Sequence, residues 1–300
     1  MAVTGFHIEP TNICTLKCSG CARTRFIETW PQHWKNHSIN IAELLKFIDI
    51  DLDGKKIMLC GNYGDPIYHP DFIELVTALK DRGSIITVIT NGSYKKQEWW
   101  EKLVTKLSCK DTVVFSVDGT PENFTQYRVN ADWESILTGM KVVANSECHS
   151  KWKYIPFAFN QLDIDEVKQL SNGIGIKEFY VEFSDRFDER TEFLKPDITL
   201  TGSRYVAQTQ WKINNTNLTI SPRCNRGSDH FITADGYYTP CCYLADHRFY
   251  YKTPFGKNKK QYDIRNHTFT TIMEQSQTID FYQNLDQQPG CQFNCPSLQG

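Results

Sequence analysis

No apolar run in the 300 residues approaches the ~20 that a membrane-spanning helix needs. The opening MAVTGFHIEP has no basic segment leading into an apolar stretch, so it does not read as a secretory signal. Charge of one sign is lacking as well: 33 Lys and Arg stand against 35 Asp and Glu, for a net charge of -2. That balance offers no electrostatic footprint for nucleic acid or a membrane surface. Repeats and low-complexity tracts are missing too. These absences lead to the expectation of a cytoplasmic, monomeric chain with no nucleic-acid or membrane partner. The composition, 40% hydrophobic and 13% aromatic, supports a real core and excludes disorder. The length suits one large domain, or a large domain with a small appendage.

Cysteine is abundant. In a reducing compartment disulfides are uncommon, and clustered cysteines more often bind metal or do redox chemistry. Of the 11 cysteines, three lie between residues 14 and 21 and five between 224 and 295. Cys60, Cys109 and Cys148 stand alone and read as inert thiols.

From residue 3 to about 183, short β-type runs alternate with helical patterns. Strands are expected at 3–9, 56–60, 84–90, 112–117, 153–159 and 177–183. Ile41, Leu44, Leu45 and Ile48, and again Phe72, Leu75, Val76 and Leu79, have the spacing of one helix face. Asn40 with Glu43 resembles a capping box, and Asp71 and Asp163 are placed to open helices. Repeated β-then-α units imply an α/β fold with a parallel sheet, here an open partial barrel of six units. Ligands in such sheets sit at the carboxyl ends of the strands. After about residue 195 the periodicity breaks. Residues 196–300 read as a small, loop-rich second unit with pieces such as NLTISP, HFITADGYY and a helical TIMEQSQTIDFYQNL. A metal staple would help to stabilise it.

Cys14, Cys18 and Cys21 form C-x3-C-x2-C just after the first expected strand. Thiolates this close in one loop can bind several irons of a single cluster. A [4Fe–4S] cube normally takes four cysteines, so three leave one iron open. Structural zinc is the competing reading, although zinc knuckles usually pair C-x2-C units.

This segment resembles the signature of the radical S-adenosylmethionine (SAM) superfamily, and the resemblance extends over the first ~185 residues. It implies that SAM completes the open iron and that its reductive cleavage yields a 5′-deoxyadenosyl radical, which takes hydrogen from substrate. Other segments come in the family's order. GNYGDP after the second strand resembles the glycine-rich SAM turn through Gly61, Gly64, Asp65 and Pro66, with Asp65 where Glu is commoner. Thr90, Asn91 and Gly92 end and succeed the third strand. FSVDG and the later Arg128 resemble the Ser-x-Asp-Gly segment, which implies SAM contacts for Ser116 and Asp118 and a carboxylate contact for Arg128. Asn160 is a candidate ribose contact. Each of these has a plainer reading as a strand end or turn.

The later cysteines resemble the opening of the SPASM auxiliary-cluster domain and its shorter Twitch form. Too few cysteines remain for two auxiliary clusters, so one [4Fe–4S] cluster held by Cys224, Cys241, Cys291 and Cys295 is expected, with Cys242 as the alternative to Cys241. Adjacent strand residues point to opposite faces, so only one of that pair is expected to ligate. Zinc is again the alternative. His230 and His247 are read as packing residues, as are Trp30, Trp34, Trp99 and Trp100.

The resemblance therefore implies two [4Fe–4S] clusters, SAM, a sugar, aminocyclitol or peptide substrate, and a flavodoxin- or ferredoxin-type reductant. A fully ligated second cluster suits electron transfer and hence oxidation of the substrate. With the first strand starting near residue 3, no room is expected for an N-terminal peptide-binding domain. Tyr63 is a candidate for taking the second proton, and Arg186, Asp188 and Glu189 for facing substrate. The alternatives are a radical enzyme doing non-oxidative chemistry, and a non-enzymatic zinc-bound scaffold.

Overall fold

Among the described residues eight strands make one sheet in the order β6-β5-β4-β3-β2-β1-β7-β8. The computed structural model describes residues 2–182 and 229–295, together with Ser184, Pro196, Pro222, Cys224 and Gly227. The expected domain boundary at 195/196, the strand piece at 217–221 and the substrate candidates Arg186, Asp188 and Glu189 lie outside the described residues.

The strands are β1 (Gly5–Ile8), β2 (Lys56–Leu59), β3 (Ile85–Thr90), β4 (Thr112–Ser116), β5 (His149–Tyr154), β6 (Glu178–Val181), β7 (His230–Ile232) and β8 (Tyr238–Thr239). Among the described residues every pairing from β6 to β7 is parallel, and the β7–β8 hairpin is antiparallel. The first part supplies α1 (Ala22–Thr29), α2 (Ile41–Phe47), α3 (Phe72–Asp81), α4 (Gln97–Val104), α5 (Trp133–Ala144) and α6 (Ile164–Ile174). The later part supplies α7 (His247–Tyr250), α8 (Pro254–Lys257), α9 (Phe269–Met273), α10 (Ser276–Gln283) and α11 (Pro289–Asn294). No described helix is long and apolar enough to cross a membrane.

The expected caps are realised unevenly. Asn40 Oδ1 accepts the Glu43 N–H at 3.0 Å and starts α2. Asp71 and Asp163 stand at their helix starts without capping through the side chain. Asp163 instead accepts the Asn123 amide at 2.7 Å. The single helix expected across TIMEQSQTIDFYQNL is two, because Gln275 is extended (φ -66°, ψ 135°) between α9 and α10.

The fifth strand is displaced from its expected range. It runs through HSKWKY, where Ser150, Trp152 and Tyr154 are buried and alternate with Lys151 and Lys153. Pro156 lacks the N–H that a further ladder bond would need, and the chain leaves the sheet there.

One face of the sheet carries the core. Ile57, Leu59, Ile86, Val88, Phe115 and Trp152 pack with Leu75, Leu79, Trp100, Met140 and Val167 of the helices in one cluster. By strand alternation the opposite face holds His7, Met58, Ile89, Ser116, Lys153 and Tyr180. The Tyr180 hydroxyl is close enough to feel the Cys60 thiol, although three strands separate β6 from β2 in the sheet order. The sheet therefore curls around that inner face as a partial barrel.

Candidate functional site

The strand β1 is buried along its whole length. The residues just beyond it are pinned: Thr11 Oγ1 donates to the His37 carbonyl at 2.8 Å, and the Asn12 side chain joins Lys35 O and His37 N, each at 2.8 Å. The cysteine loop thus starts from a fixed point at the carboxyl end of the sheet. Cys18 is buried with Leu16, Tyr127 and Phe157, while Cys14 and Cys21 pack against that cluster half-buried. Cys21 leads directly into α1. The Leu16 N–H and the Asn91 amide both donate to Cys14 Sγ, at 3.4 and 3.7 Å. Burial pushes the Cys14 thiol up to about 12, with Asp65 adding to it, and the Cys18 thiol up to about 11 against the pull of Arg128. A bound cation would reverse both shifts, as metals do for coordinating thiols. Cys14 feels both Cys18 and Cys21 electrostatically, and two of the three sulfurs are within reach of N–H donors. Among the described residues no three His, Cys, Asp or Glu side chains are gathered closely enough to hold one metal ion; the chemistry of this donor set, three thiols in one loop, fits an iron–sulfur cluster.

The residues expected to touch SAM divide into two groups. Four make hydrogen bonds within the protein. Asp65 is fully buried, and burial raises its carboxyl to about 6. One oxygen accepts Thr90 Oγ1 at 2.8 Å, and the other accepts the Asn91 backbone N–H at 2.6 Å and its side-chain amide at 2.5 Å. Asp65 therefore aims Asn91 at Cys14, and Thr90 and Asn91 support the cluster loop. Asp118 accepts Arg128 Nε at 2.7 Å and the Ile155 N–H at 2.8 Å. Arg128 also reaches Cys18. Its guanidinium is buried, yet the Asp118 charge keeps it protonated more firmly than usual. Asn160 folds back on its own loop, donating to Ile155 O at 3.1 Å and accepting the Phe157 N–H at 2.5 Å. Asp65, Asp118, Arg128 and Asn160 thus also bond within the protein, which positions them at the carboxyl end of the sheet.

The second group remains at the open end. Ser116 ends β4 on the inner face, beside Lys153 in register. Gly61 and Gly64 are in the loop after β2, and a Cβ at Gly64 would lie 1.9 Å from the Thr11 carbonyl oxygen. Only glycine permits that approach.

Glu9, which the sequence did not single out, fixes this loop from below. Its Oε1 accepts the Tyr63 N–H at 2.7 Å and the Gly64 N–H at 3.3 Å. Burial raises its carboxyl to about 7 despite those bonds. Glu9 lines a cavity of about 160 Å³ with Phe26, Trp34, Tyr63, Asp235 and His247. Position gave the only signal for Glu9: it comes directly after the first strand.

Tyr63, the candidate for taking the second proton, lines this cavity. Its hydroxyl accepts the His247 N–H at 2.9 Å and is 3.2 Å from His247 Nδ1. Burial, reinforced by Asp246, raises its ionisation far above neutrality. His247 and Trp34, both read as packing, are cavity residues.

The second cysteine set is linked electrostatically. Cys224 is buried, and its loop is tied to the start of β1, because Gly227 O accepts the Thr4 N–H at 2.8 Å. Cys241 comes just after β8, and Cys291 and Cys295 are one helical turn apart at α11. Burial raises Cys241 well above its usual range, and Cys242, then Cys224 and Cys291, contribute. Burial raises Cys291 to about 12, with contributions from Cys224 and Cys295. Cys241 therefore shares its surroundings with Cys224 and Cys291. Cys242, its neighbour, presents its carbonyl to Asn62 Nδ2 at 2.6 Å.

Residues 8–172, more than half of the chain, match the model of the Radical SAM superfamily, and the chain belongs to that family of enzymes. Residues 224–296 match the SPASM iron–sulfur cluster-binding domain. Membership brings a [4Fe–4S] cluster with SAM, and the second match brings auxiliary iron–sulfur binding. A curated relative, the tungsten-containing aldehyde ferredoxin oxidoreductase cofactor-modifying protein of Pyrococcus furiosus, is 29% identical over 119 residues. That match spans 38% of this chain and 31% of the relative, about a third of its length. Among solved structures, SuiB of Streptococcus suis bound to S-adenosylmethionine has a TM-score of 0.60 at 14% identity, covering 87% of this chain and 66% of SuiB. BtrN in complex with AdoMet and 2-DOIA has a TM-score of 0.52 at 11% identity, covering 99% and 94%. At such identities these likenesses show the fold.

Proposed function

We propose that this protein uses SAM to oxidise a polar organic substrate, a sugar-like ring or a peptide segment, with one auxiliary cluster accepting an electron. In this reading residues 1–195 are the radical core and 196–300 the auxiliary unit of a cytoplasmic monomer. Cys14, Cys18 and Cys21 hold the first [4Fe–4S] cluster. Cys224, Cys241, Cys291 and Cys295 hold the second. When bound, the first cluster and SAM together supply a carbon-centred radical that removes a hydrogen atom from substrate.

The chain's own residues do the rest. Asn91 and Arg128 donate toward Cys14 and Cys18, the polarity a thiolate ligand requires. Gly61 and Gly64 let the loop after β2 close against Glu9 and Thr11 and present backbone polar groups to SAM, and Ser116 offers it a hydroxyl at the end of β4. The cavity between Glu9, Trp34 and His247 seats the substrate. Four cysteines satisfy all irons of a cube, which suits electron acceptance over substrate binding. The observation that carries this reading is the hydrogen bond from Asn62 in the SAM-side loop to the carbonyl of Cys242. It joins the two cysteine regions at one end of the sheet.

The test is SAM cleavage by anaerobically reconstituted protein, combined with paramagnetic resonance. The wild type should show a reduced [4Fe–4S] signal that SAM alters, and it should form 5′-deoxyadenosine. The Cys14→Ala, Cys18→Ala, Cys21→Ala variant should form none; undiminished cleavage there, or a colourless zinc-bound wild type, sinks the reading. A Cys291→Ala, Cys295→Ala variant should still cleave SAM with about four fewer irons per chain.

A further inference from the structure

His230 of β7, Tyr238 of β8 and Tyr282 of α10 meet in a triangle of hydrogen-bonding atoms. His230 Nδ1 is 2.8 Å from Tyr238 Oη and 3.3 Å from Tyr282 Oη, and the two hydroxyls are 3.0 Å apart. His230 and Tyr238 are buried, and Tyr282 packs half-buried against the same core cluster that Cys224, Cys241 and Cys291 join. Met273 Sδ, 3.6 Å from Tyr238 Oη, is a weak acceptor beside it. The other ring nitrogen of His230, Nε2, is buried with no hydrogen-bond partner, and the ring packs on Phe6 and Phe269. Burial raises the ionisation of both tyrosines far above the usual range, and Cys224 and Cys241 are near enough to add to it. Burial also lowers His230 to about 4, so near neutral pH its imidazole carries one proton.

Where that proton sits decides what the tyrosines do. On Nε2 it would be buried without an acceptor, and the triangle would absorb both tyrosine protons. Orphaned N–H groups are rarer in protein interiors than spare acceptor sites. On Nδ1 the proton is donated to a tyrosine oxygen, and that nitrogen has no lone pair left to accept one. One tyrosine proton then bridges the two hydroxyls, and the other has no acceptor within the triangle. Tyr238 has Tyr282 and Met273 as acceptors, which leaves Tyr282 as the donor to the cysteines. We propose that His230, protonated on Nδ1, turns the Tyr282 hydroxyl into a hydrogen-bond donor to the sulfurs of Cys224 and Cys241. Tyr282 thereby sets the potential of the second cluster, and His230 is its positioning residue. The proposal rests on the functional reading above, in which those cysteines hold an electron-accepting [4Fe–4S] cluster. Reduction adds negative charge to the cluster, so a donor aimed at its sulfurs stabilises the reduced form and raises the potential.

The test is a potentiometric titration of the reconstituted protein followed by paramagnetic resonance, with the Cys14→Ala, Cys18→Ala, Cys21→Ala variant assigning the second cluster's signal. Tyr282→Phe should retain about eight irons per chain, the content of two cubes. Its second cluster should be about tenfold harder to reduce at a given potential, a midpoint lower by about 59 mV for a one-electron couple. The first cluster's midpoint should stay where it is. Tyr262→Phe removes another buried hydroxyl of the same core, one bonded to Gln277, and should move neither midpoint. Electron–nuclear double resonance on the reduced second cluster should show an exchangeable proton coupling in the wild type that Tyr282→Phe lacks. Nitrogen-15 resonances of His230, identified by their loss in His230→Gln, should place the wild-type proton on Nδ1. An unshifted midpoint or a retained coupling in iron-replete Tyr282→Phe, an equal shift in Tyr262→Phe, or a proton on Nε2 overturns the proposal. A wild type that binds only about four irons per chain removes the functional reading instead, and the role of Tyr282 with it.

Discussion

At the scale of single residues, the site is held by buried carboxylates whose partners are backbone and side-chain N–H groups. Asp65 aims Asn91 at Cys14, Asp118 fixes Arg128 against Cys18, and Glu9 supports residues 63 and 64. Glu9 carries a pH signature, because burial raises its carboxyl from 4.5 to about 7. Between those values the folded protein holds a proton that the unfolded chain has released. Stability therefore falls as pH rises through that window and is flat above it. The shift corresponds to at most about 3 kcal/mol. Denaturant unfolding of wild type and Glu9→Gln from pH 4.5 to 8 checks this: the wild type should lose stability relative to the variant as pH rises. Parallel curves would show that Glu9 keeps an ordinary pKa.

At the scale of elements, close approach sets where helices and loops can sit. On α5, Gly139 faces Trp100 of α4, and a Cβ there would be 2.5 Å from the indole ring. Trp100 is fully buried and cannot move outward. Gly139→Ala should destabilise the protein by about 1–3 kcal/mol through overpacking, read as a lower thermal midpoint. SAM cleavage well below that midpoint should be unchanged, since α4 and α5 pack on the sheet face opposite the site. An unshifted midpoint would mean that the two helices separate freely.

At the scale of the whole molecule, the later part of the chain is built onto the first strand. β7 lies parallel beside β1, and Gly227 bonds the residues that open β1. Asn62 and Tyr63 then reach from the SAM-side loop to Cys242 and His247. Asn62→Ala leaves the Cys242 carbonyl without that donor, at a cost of about 1–2 kcal/mol. Hydrogen exchange across residues 241–250 should accelerate about tenfold in that variant, with β3 and β4 unchanged. Equal exchange in both proteins would show that the latch does not hold the two parts together.

The sequence by itself determined the alternation of strands and helices, the parallel sheet and both cysteine sets. Those features depend on local periodicity and on spacings within a few residues. It placed β5 four residues late, because KYIPFAF is as apolar as a strand while Pro156 ends the ladder. It could not tell which protein groups the polar motif residues bond. Asp65, Asp118, Arg128 and Asn160 all fit the family's motifs, yet their hydrogen bonds run to partners brought close by the fold. Glu9, His247 and Asn62 carried no local signature. Their roles come from contacts between segments up to 184 residues apart in the chain. Only the closed sheet, with β7 seated against β1, decides contacts of that range.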